Sequence, residues 1–356
     1  MPTPRKEIIL EGEVGMYHCF SRCVRGAFLC GYDRQSGRNY RHRKRYLERR
    51  LRELTRYFCV KTVTATVQCN HHHTIVRTDP VAAGLLSAQE VLDRWRAVMP
   101  YKLKESEREE GLEGLKYRAE LLDPQIIEEY RQRLNSVSWL MRLLKEPLAR
   151  MANLEDGCKG HFWEGRFKCV RLDDAAALLA CMSYVELNPI RAGVADRLEN
   201  CDYTTIQERM KEYKERARAQ RLKKYKRILG SEVEARLLER WASRKVARAQ
   251  WLYPLEKLFE GWQGRSGGIE LGEYLELVDW SGRCSRHEGE GRIPEHLAGI
   301  LERLEANPEF WGEVVEEYGG LFHVVAAKAS RLRELARQAG KRCYWGVKLK
   351  VPLYRE

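Results

Sequence analysis

Three consecutive histidines, His71-His72-His73, place three imidazoles side by side in this sequence. They open a run to Thr78 that reads as a strand. Successive strand side chains point to opposite faces, so His71 and His73 project together while His72 points away. Two imidazoles on one face can chelate one divalent ion; Mn, Zn, Fe and Ni suit nitrogen donors, and Mg is tolerated when oxygen ligands complete the shell. The same triple is also compatible with a surface histidine cluster that holds nothing. A second pair lies farther along the chain. Tyr184 and Asn188 are four residues apart in an Ala- and Leu-rich segment with helical character, which puts them on one helical face. A phenol and an amide oxygen so placed could offer a nucleophile and a metal ligand to one point, although a helical tyrosine more often serves a core or a groove.

Several elements must hold these groups. Val60 to Gln68 (VKTVTATVQ) alternates strongly and pairs with the histidine strand as a predicted hairpin across Cys69-Asn70. Met16 to Val24 reads as an opening strand. Arg41 to Tyr57 reads as a helix, with Tyr46, Leu47, Leu51, Leu54 and Phe58 at helical spacing beneath a basic face of Arg43, Lys44, Arg45, Arg49, Arg50 and Arg52. That face is expected to look toward DNA. Ser87-Ala88-Gln89-Glu90 forms a capping box before the apolar stripe of Leu92, Trp95 and Val98. Lys102 to Glu120 is expected to be a helical insertion with little burial, Asn135 to Met151 an amphipathic helix, and His161 to Val170 a further strand. Asp173-Asp174 opens the Ala-Leu helix, which runs to Asn188 and is stopped by Pro189.

This order predicts an α+β fold, an antiparallel sheet with helices packed on it, over residues 1–204. Beyond Tyr203, the stretch Arg209 to Arg227 interleaves cations, Lys223 and Lys224 among them, with few large apolar residues. Residues 205–250 are therefore expected to be a basic helical linker or a DNA-contacting arm. Apolar and aromatic residues return from Trp251, and residues 251–356 are expected to form a mainly helical C-terminal domain.

The composition narrows the partner. A formal charge of +13 in 356 residues, with a pI near 9.2, favours an acidic polymer, although a solvated basic face has the same composition. No stretch approaches the roughly 20 consecutive apolar residues of a membrane span, and Met1 to Lys6 lacks the apolar core of a signal peptide, so a cytoplasmic protein is expected. The 11 cysteines contain no CxxC pair, which fits reduced thiols; Cys19, Cys23 and Cys30 match no standard zinc spacing.

Four blocks of this sequence resemble, in order, those of the IS200-like, HUH-type tyrosine transposases. Tyr17-His18 and Ser21-Arg22 are similar to the family's opening strand, and Asn70-His71-His72-His73-Thr74-Ile75-Val76 to its Asn-His-x-His-apolar stretch. Gly160 to Lys168 (GHFWEGRFK) resembles the Gly-x-x-Trp-x-Gly-Arg-Phe block. Tyr184 to Gly193 (YVELNPIRAG) resembles the Tyr-Ile-Glu-x-Asn-Pro-x-Arg-Ala-Gly block of the branch associated with repetitive extragenic palindromes. The resemblance covers roughly residues 14–205. It departs from the pattern at His72, usually apolar, and at Cys69, where proline is common.

The resemblance implies an HUH nuclease-like fold, His71 and His73 as ligands of a divalent ion, Mg or Mn, Asn188 in the place of a polar third ligand, and Tyr184 as nucleophile. It implies a transposase-like single-strand endonuclease and strand transferase that forms a 5′-phosphotyrosine on hairpin-bearing DNA. Arg22, Arg43, Lys44, Arg45, Arg166, Lys168, Arg191, Lys223 and Lys224 are the expected DNA contacts, and Phe162, Trp163 and Phe167 suit a groove that stacks bases, although Phe167 also suits an ordinary core. A homodimer is compatible with this reading. Two alternatives use the same residues: a domesticated protein that holds hairpin DNA without cutting it, and a replication or conjugation initiator.

Overall fold

The computed structural model describes residues 3–33, 36–99, 112–225, 240, 251–284, 294–347, 349 and 351–354. Strand β1 (Met16–Arg22) is followed by helix α1 (Arg41–Tyr57) and the hairpin of β2 (Lys61–Val67) and β3 (His71–Arg77). Helices α2 (Ala88–Val98), α3 (Leu112–Leu122), α4 (Pro124–Leu134) and α5 (Val137–Glu155) lead to β4 (Lys168–Leu172) and α6 (Ala175–Glu186). Then come α7 (Thr205–Tyr225), α8 (Leu271–Cys284), α9 (Glu295–Arg303), α10 (Trp311–Leu321), the short strand β5 (Val325–Ala326) and α11 (Ala329–Gln338).

Local chemistry explains the boundaries that matter for the site. The amide of Gln68 donates to the His71 carbonyl at 2.8 Å and closes the hairpin. Ser87 and Glu90 form the reciprocal cap at the start of α2. Asp174 caps α6 by accepting from the Ala177 amide at 2.8 Å. Pro189 has no amide hydrogen to donate, so α6 stops at Glu186 and the chain restarts as a single turn, Asn188–Arg191.

The strand order is β2-β3-β1-β4-β5. The first four strands pair antiparallel, whereas β5 pairs parallel with β4, Arg171 opposite Val325 and Leu172 opposite Ala326. The sheet is therefore mixed, not the antiparallel sheet expected from the order of elements up to residue 204. The fifth strand comes from the C-terminal part of the chain. The register puts Met16, His18 and Phe20 beside Ile75, His73, Val170 and Leu172 on one face, and Tyr17, Cys19 and Ser21 beside Val76, Thr74 and His72 on the other. The second face packs into an apolar cluster with α1, α2 and α5. The first lies under α6, and its cluster continues without a break into Trp262, Tyr274, Trp311 and Tyr318.

Four expectations need correction. The strand expected from His161 begins only at Lys168. Gly160, at φ 144°, turns the chain, and residues 162–164 cross the end of β1, where Val24 donates to the Phe162 carbonyl and Glu164 to that of Arg22. Phe162 and Trp163 are buried, so neither is a free platform for a base, while Phe167 takes the core position also expected of it. Arg43 is buried and paired with Glu155 and Asp156, because α5 lies across that part of the presumed outer face of α1. Arg209, at the head of the basic stretch, is also buried, donating to the main-chain carbonyls of Val63 and Tyr253. Of the expected insertion, residues 100–111 lie outside the described residues, while Leu112–Leu122 is helical. No helix among the described residues is long and apolar enough to cross a membrane.

Candidate active site

The site lies on the face of the sheet covered by α6, where β3 meets the break after Glu186. His71 and His73 project from β3 on this face, and His72 projects to the other, edge-on to Trp163 with ring centroids 5.3 Å apart. Asn188 places its Oδ1 3.1 Å from His71 Nε2. Tyr184, one turn earlier, sets its ring edge-on to His73 at 5.7 Å, interplanar angle 90°. Residues 117 positions apart thus meet at one point, brought there by the two-residue period of a strand and the four-residue spacing of a helix.

Hydrogen bonding defines which nitrogens are free. The Asn70 amide nitrogen donates to the Gly26 carbonyl at 3.1 Å, which turns its Oδ1 toward His71 Nδ1 at 2.6 Å. His71 therefore carries its proton on Nδ1 and directs the Nε2 lone pair at Asn188 Oδ1. Two acceptors facing each other at 3.1 Å repel unless a cation sits beside them or the Asn188 amide rotates to present its nitrogen. His73 Nδ1 shares a proton with His18 Nε2 at 2.8 Å; if His73 is the donor, its Nε2 lone pair is free for the site. Burial lowers the pKa of all three: His18 to about 3, His73 well below the ordinary imidazole value, and His71 below it as well. Neutral imidazoles are the form that binds metal.

This donor set fits a divalent cation as two imidazole nitrogens and one amide oxygen, with Asn70 and His18 orienting the rings from behind. Among the described residues, no group of three or more His, Cys, Asp or Glu side chains is arranged to hold a metal ion. Asn70 and His18 had not been assigned these roles. Alternation places His18 with Phe20 on one face, but which strand neighbours β1, and hence which histidine His18 meets, is not readable from one strand.

A cleft of about 520 Å³ opens beside the histidines. Phe20, Arg22, Arg166 and Lys168 line it together with His71 and His73, with Glu164 contributing an acidic group. Arg22, Arg166 and Lys168 are exposed there, so three of the nine expected DNA contacts share one opening. Phe20, not one of the three aromatics of the 160s, is the ring that lines it, stacked on His73 at 5.5 Å with Lys168 Nζ 5.9 Å from its centroid. Arg191 lies on the other side, its guanidinium carbon 4.6 Å from the Tyr184 ring centroid and its terminal nitrogen donating to the Glu316 carbonyl. Arg45 is exposed on α1, away from the cleft lining, and Lys44 is buried with its ammonium 5.5 Å from the Tyr203 ring. Lys223 and Lys224 fall in α7, but their side chains lie outside the described residues.

No protein-family model matches this chain, and no curated protein matches it. The chain is similar to a solved structure described as a REP-associated tyrosine transposase bound to a REP hairpin. The identity is 14% and the TM-score 0.32, with 58% of this chain and 82% of that chain covered.

Proposed function

We propose that this chain is a metal-dependent DNA strand transferase of the tyrosine transposase kind, which nicks and rejoins single-stranded, hairpin-bearing DNA. The observation that supports the reading is the convergence of His71, His73 and Asn188, with His71 Nε2 3.1 Å from Asn188 Oδ1, beside the ring of Tyr184. In this reading His71, His73 and Asn188 hold Mg or Mn, which when bound supplies Lewis-acid polarisation of a phosphate. The remaining work falls to the protein. Arg22, Arg166 and Lys168 neutralise the backbone along the cleft, and Arg191 places a cation beside the phenol, a weak nucleophile unless its developing negative charge is stabilised.

Attack by Tyr184 Oη forms an O–P bond as the P–O3′ bond breaks. The phenol loses its proton and the departing 3′ oxygen gains one, leaving a 5′-phosphotyrosine and a free 3′-hydroxyl. The phosphodiester energy is kept in the new bond, so attack by another 3′-hydroxyl rejoins DNA without ATP.

Tyr184→Phe tests this directly. Labelled hairpin-bearing single-stranded DNA, incubated with Mn²⁺ and run on a denaturing gel, should give a covalent adduct with the wild type and none with the variant, at similar binding affinity. Adducts at wild-type level in Tyr184→Phe would move the nucleophile elsewhere, Tyr203 being next in line. Tight binding with no wild-type adduct would favour a protein that holds hairpins without cutting them.

A further inference from the structure

Helix α10, more than 120 residues beyond the tyrosine in sequence, closes around it. Its last turn carries two consecutive glycines, Gly319 and Gly320, although glycine disfavours a helix relative to alanine. Their surroundings differ. A Cβ on Gly320 would meet nothing within 4 Å, whereas a Cβ on Gly319 would lie 2.9 Å from Tyr184 Oη and 3.3 Å from its Cζ. One turn before Gly319, the Glu316 carbonyl accepts from the guanidinium of Arg191, which in turn lies over the Tyr184 ring. Between the two, Tyr318 sets its ring 5.7 Å from that of Tyr184. The C-terminal half of α10 therefore touches the hydroxyl end of Tyr184, flanks its ring and anchors its neighbouring cation.

We infer that α10 is a positioning element for the nucleophile, and that Gly319 sets where the Tyr184 hydroxyl sits. The inference rests on the reading of Tyr184 as nucleophile, and it assigns the C-terminal part of the chain a place in the active site. The missing side chain at 319 is what lets the helix backbone approach the hydroxyl. With alanine there, the contact must open by about 0.5 Å to reach ordinary van der Waals separation. The Tyr184 hydroxyl, at the far end of a rotatable side chain, is what yields. In-line attack depends steeply on such placement, a misplacement of about 1 Å costing on the order of a hundredfold in rate.

The test compares Gly319→Ala with Gly320→Ala, which gains the same helix preference without meeting the tyrosine. Four quantities are read on the full chain: the melting temperature, the affinity for a hairpin-bearing single-stranded oligonucleotide, the single-turnover adduct rate at saturating oligonucleotide with Mn²⁺, and the ¹⁹F spectrum after 3-fluorotyrosine labelling. The Tyr184 resonance is assigned by its loss in Tyr184→Phe. Gly319→Ala should melt no lower than the wild type, bind equally well, shift the Tyr184 resonance and form adduct about tenfold more slowly. Gly320→Ala should match the wild type in adduct rate and resonance. A folded Gly319→Ala protein with an unmoved resonance and a wild-type rate overturns the inference. So does a faster rate, which would make α10 a cover that holds the nucleophile back. Absence of any adduct from the wild type removes the premise, and is distinguishable because the wild type itself then fails.

Discussion

Ending the chain at Asp202 is predicted to unfold the protein instead of releasing a working nuclease. Helix α6 carries the proposed nucleophile and is buried almost all round, eleven of its twelve residues having no significant exposure. A helix apolar on every side needs cover away from the sheet, and here the later chain supplies it. Gly282 of α8 packs so closely on Leu187 that a Cβ would come within 2.9 Å of it, and within 3.5 Å of Ile190. Tyr354 donates to the carboxylate of Asp174 at the other end, at 2.6 Å. Exposing Leu187 and Ile190 alone costs about 3–6 kcal/mol. Truncation also removes Thr205 and the amide of Ile206, both 2.8 Å donors to the buried carboxyl of Glu186. Each lost partner costs roughly 1–3 kcal/mol if the group stays buried. β4 further loses its bonds to Val324 and Ala326. These losses are of the order of the whole net stability of a domain, about 5–15 kcal/mol. The assay is circular dichroism melting and soluble yield of residues 1–202 beside the full chain. A soluble truncation with a cooperative melt near that of the full chain, forming adduct on a short substrate, would refute this accounting and show that the nuclease part folds alone.

Other substitutions separate the proposed roles. His71→Ala with His73→Ala should abolish adduct formation and weaken Mn²⁺ binding measured by calorimetry, whereas His72→Val should change neither, its ring being buried on the opposite face with Nε2 unpartnered; equal losses in both would overturn the assignment of faces. Lys145 is held by burial at a pKa of about 8, below the ordinary lysine value of 10.5, with its ammonium donating to the Gly165 carbonyl. Its folded state binds protons less well than its unfolded state, so this term disfavours folding below pH 8 and relaxes as pH rises from about 8 to 10.5. Lys145→Met should therefore raise stability at pH 7 by up to about 3 kcal/mol and flatten that rise, measured by urea unfolding across the range; a variant less stable than wild type at pH 7 would show the bond to Gly165 outweighs the burial of charge.

The residues that could act were legible because each rests on a short period. Alternation alone put His71 and His73 on one face, and helical spacing alone put Tyr184 and Asn188 on another, before either element had a neighbour. The capping box at Ser87 depends on adjacent residues and was legible for the same reason, whereas α6 ends at Glu186, short of the expected Asn188, and Pro189 lies within the following turn. What the sequence hid are contacts set by strand order and chain return. His18 meets His73 only because β1 lies between β3 and β4, which no property of Met16–Arg22 announces. Arg43 looked like part of a basic outer face because helical spacing shows which residues share a side, but not that α5 brings Glu155 and Asp156 against it. The parallel strand Val325–Ala326 is two residues long, too short to carry a period at all.

The composition of α6 explains why the chain beyond residue 204 packs on it. AAALLACMSYVE has no polar face to offer solvent, so a layer of helix on an open sheet does not suffice for it. A sheet covers one side; on the other, Tyr274, Trp311 and Tyr318 of the later chain share the apolar cluster of α6. Glu186 reinforces the point from the opposite direction. It is a fully buried carboxyl whose pKa burial pushes up to about 8, tolerated because Thr205 and Ile206 meet it from the start of α7. The end of α6 is thus gripped on one side by the β2–α7 junction and on the other by α8 and α10. Between those grips lies the turn Asn188–Arg191, with Asn188 facing His71 and Arg191 over the Tyr184 ring. That Tyr184 is held from both sides by distant parts of the chain follows from the same apolar sequence that buries its helix, which is why its position and the stability of the fold cannot be separated.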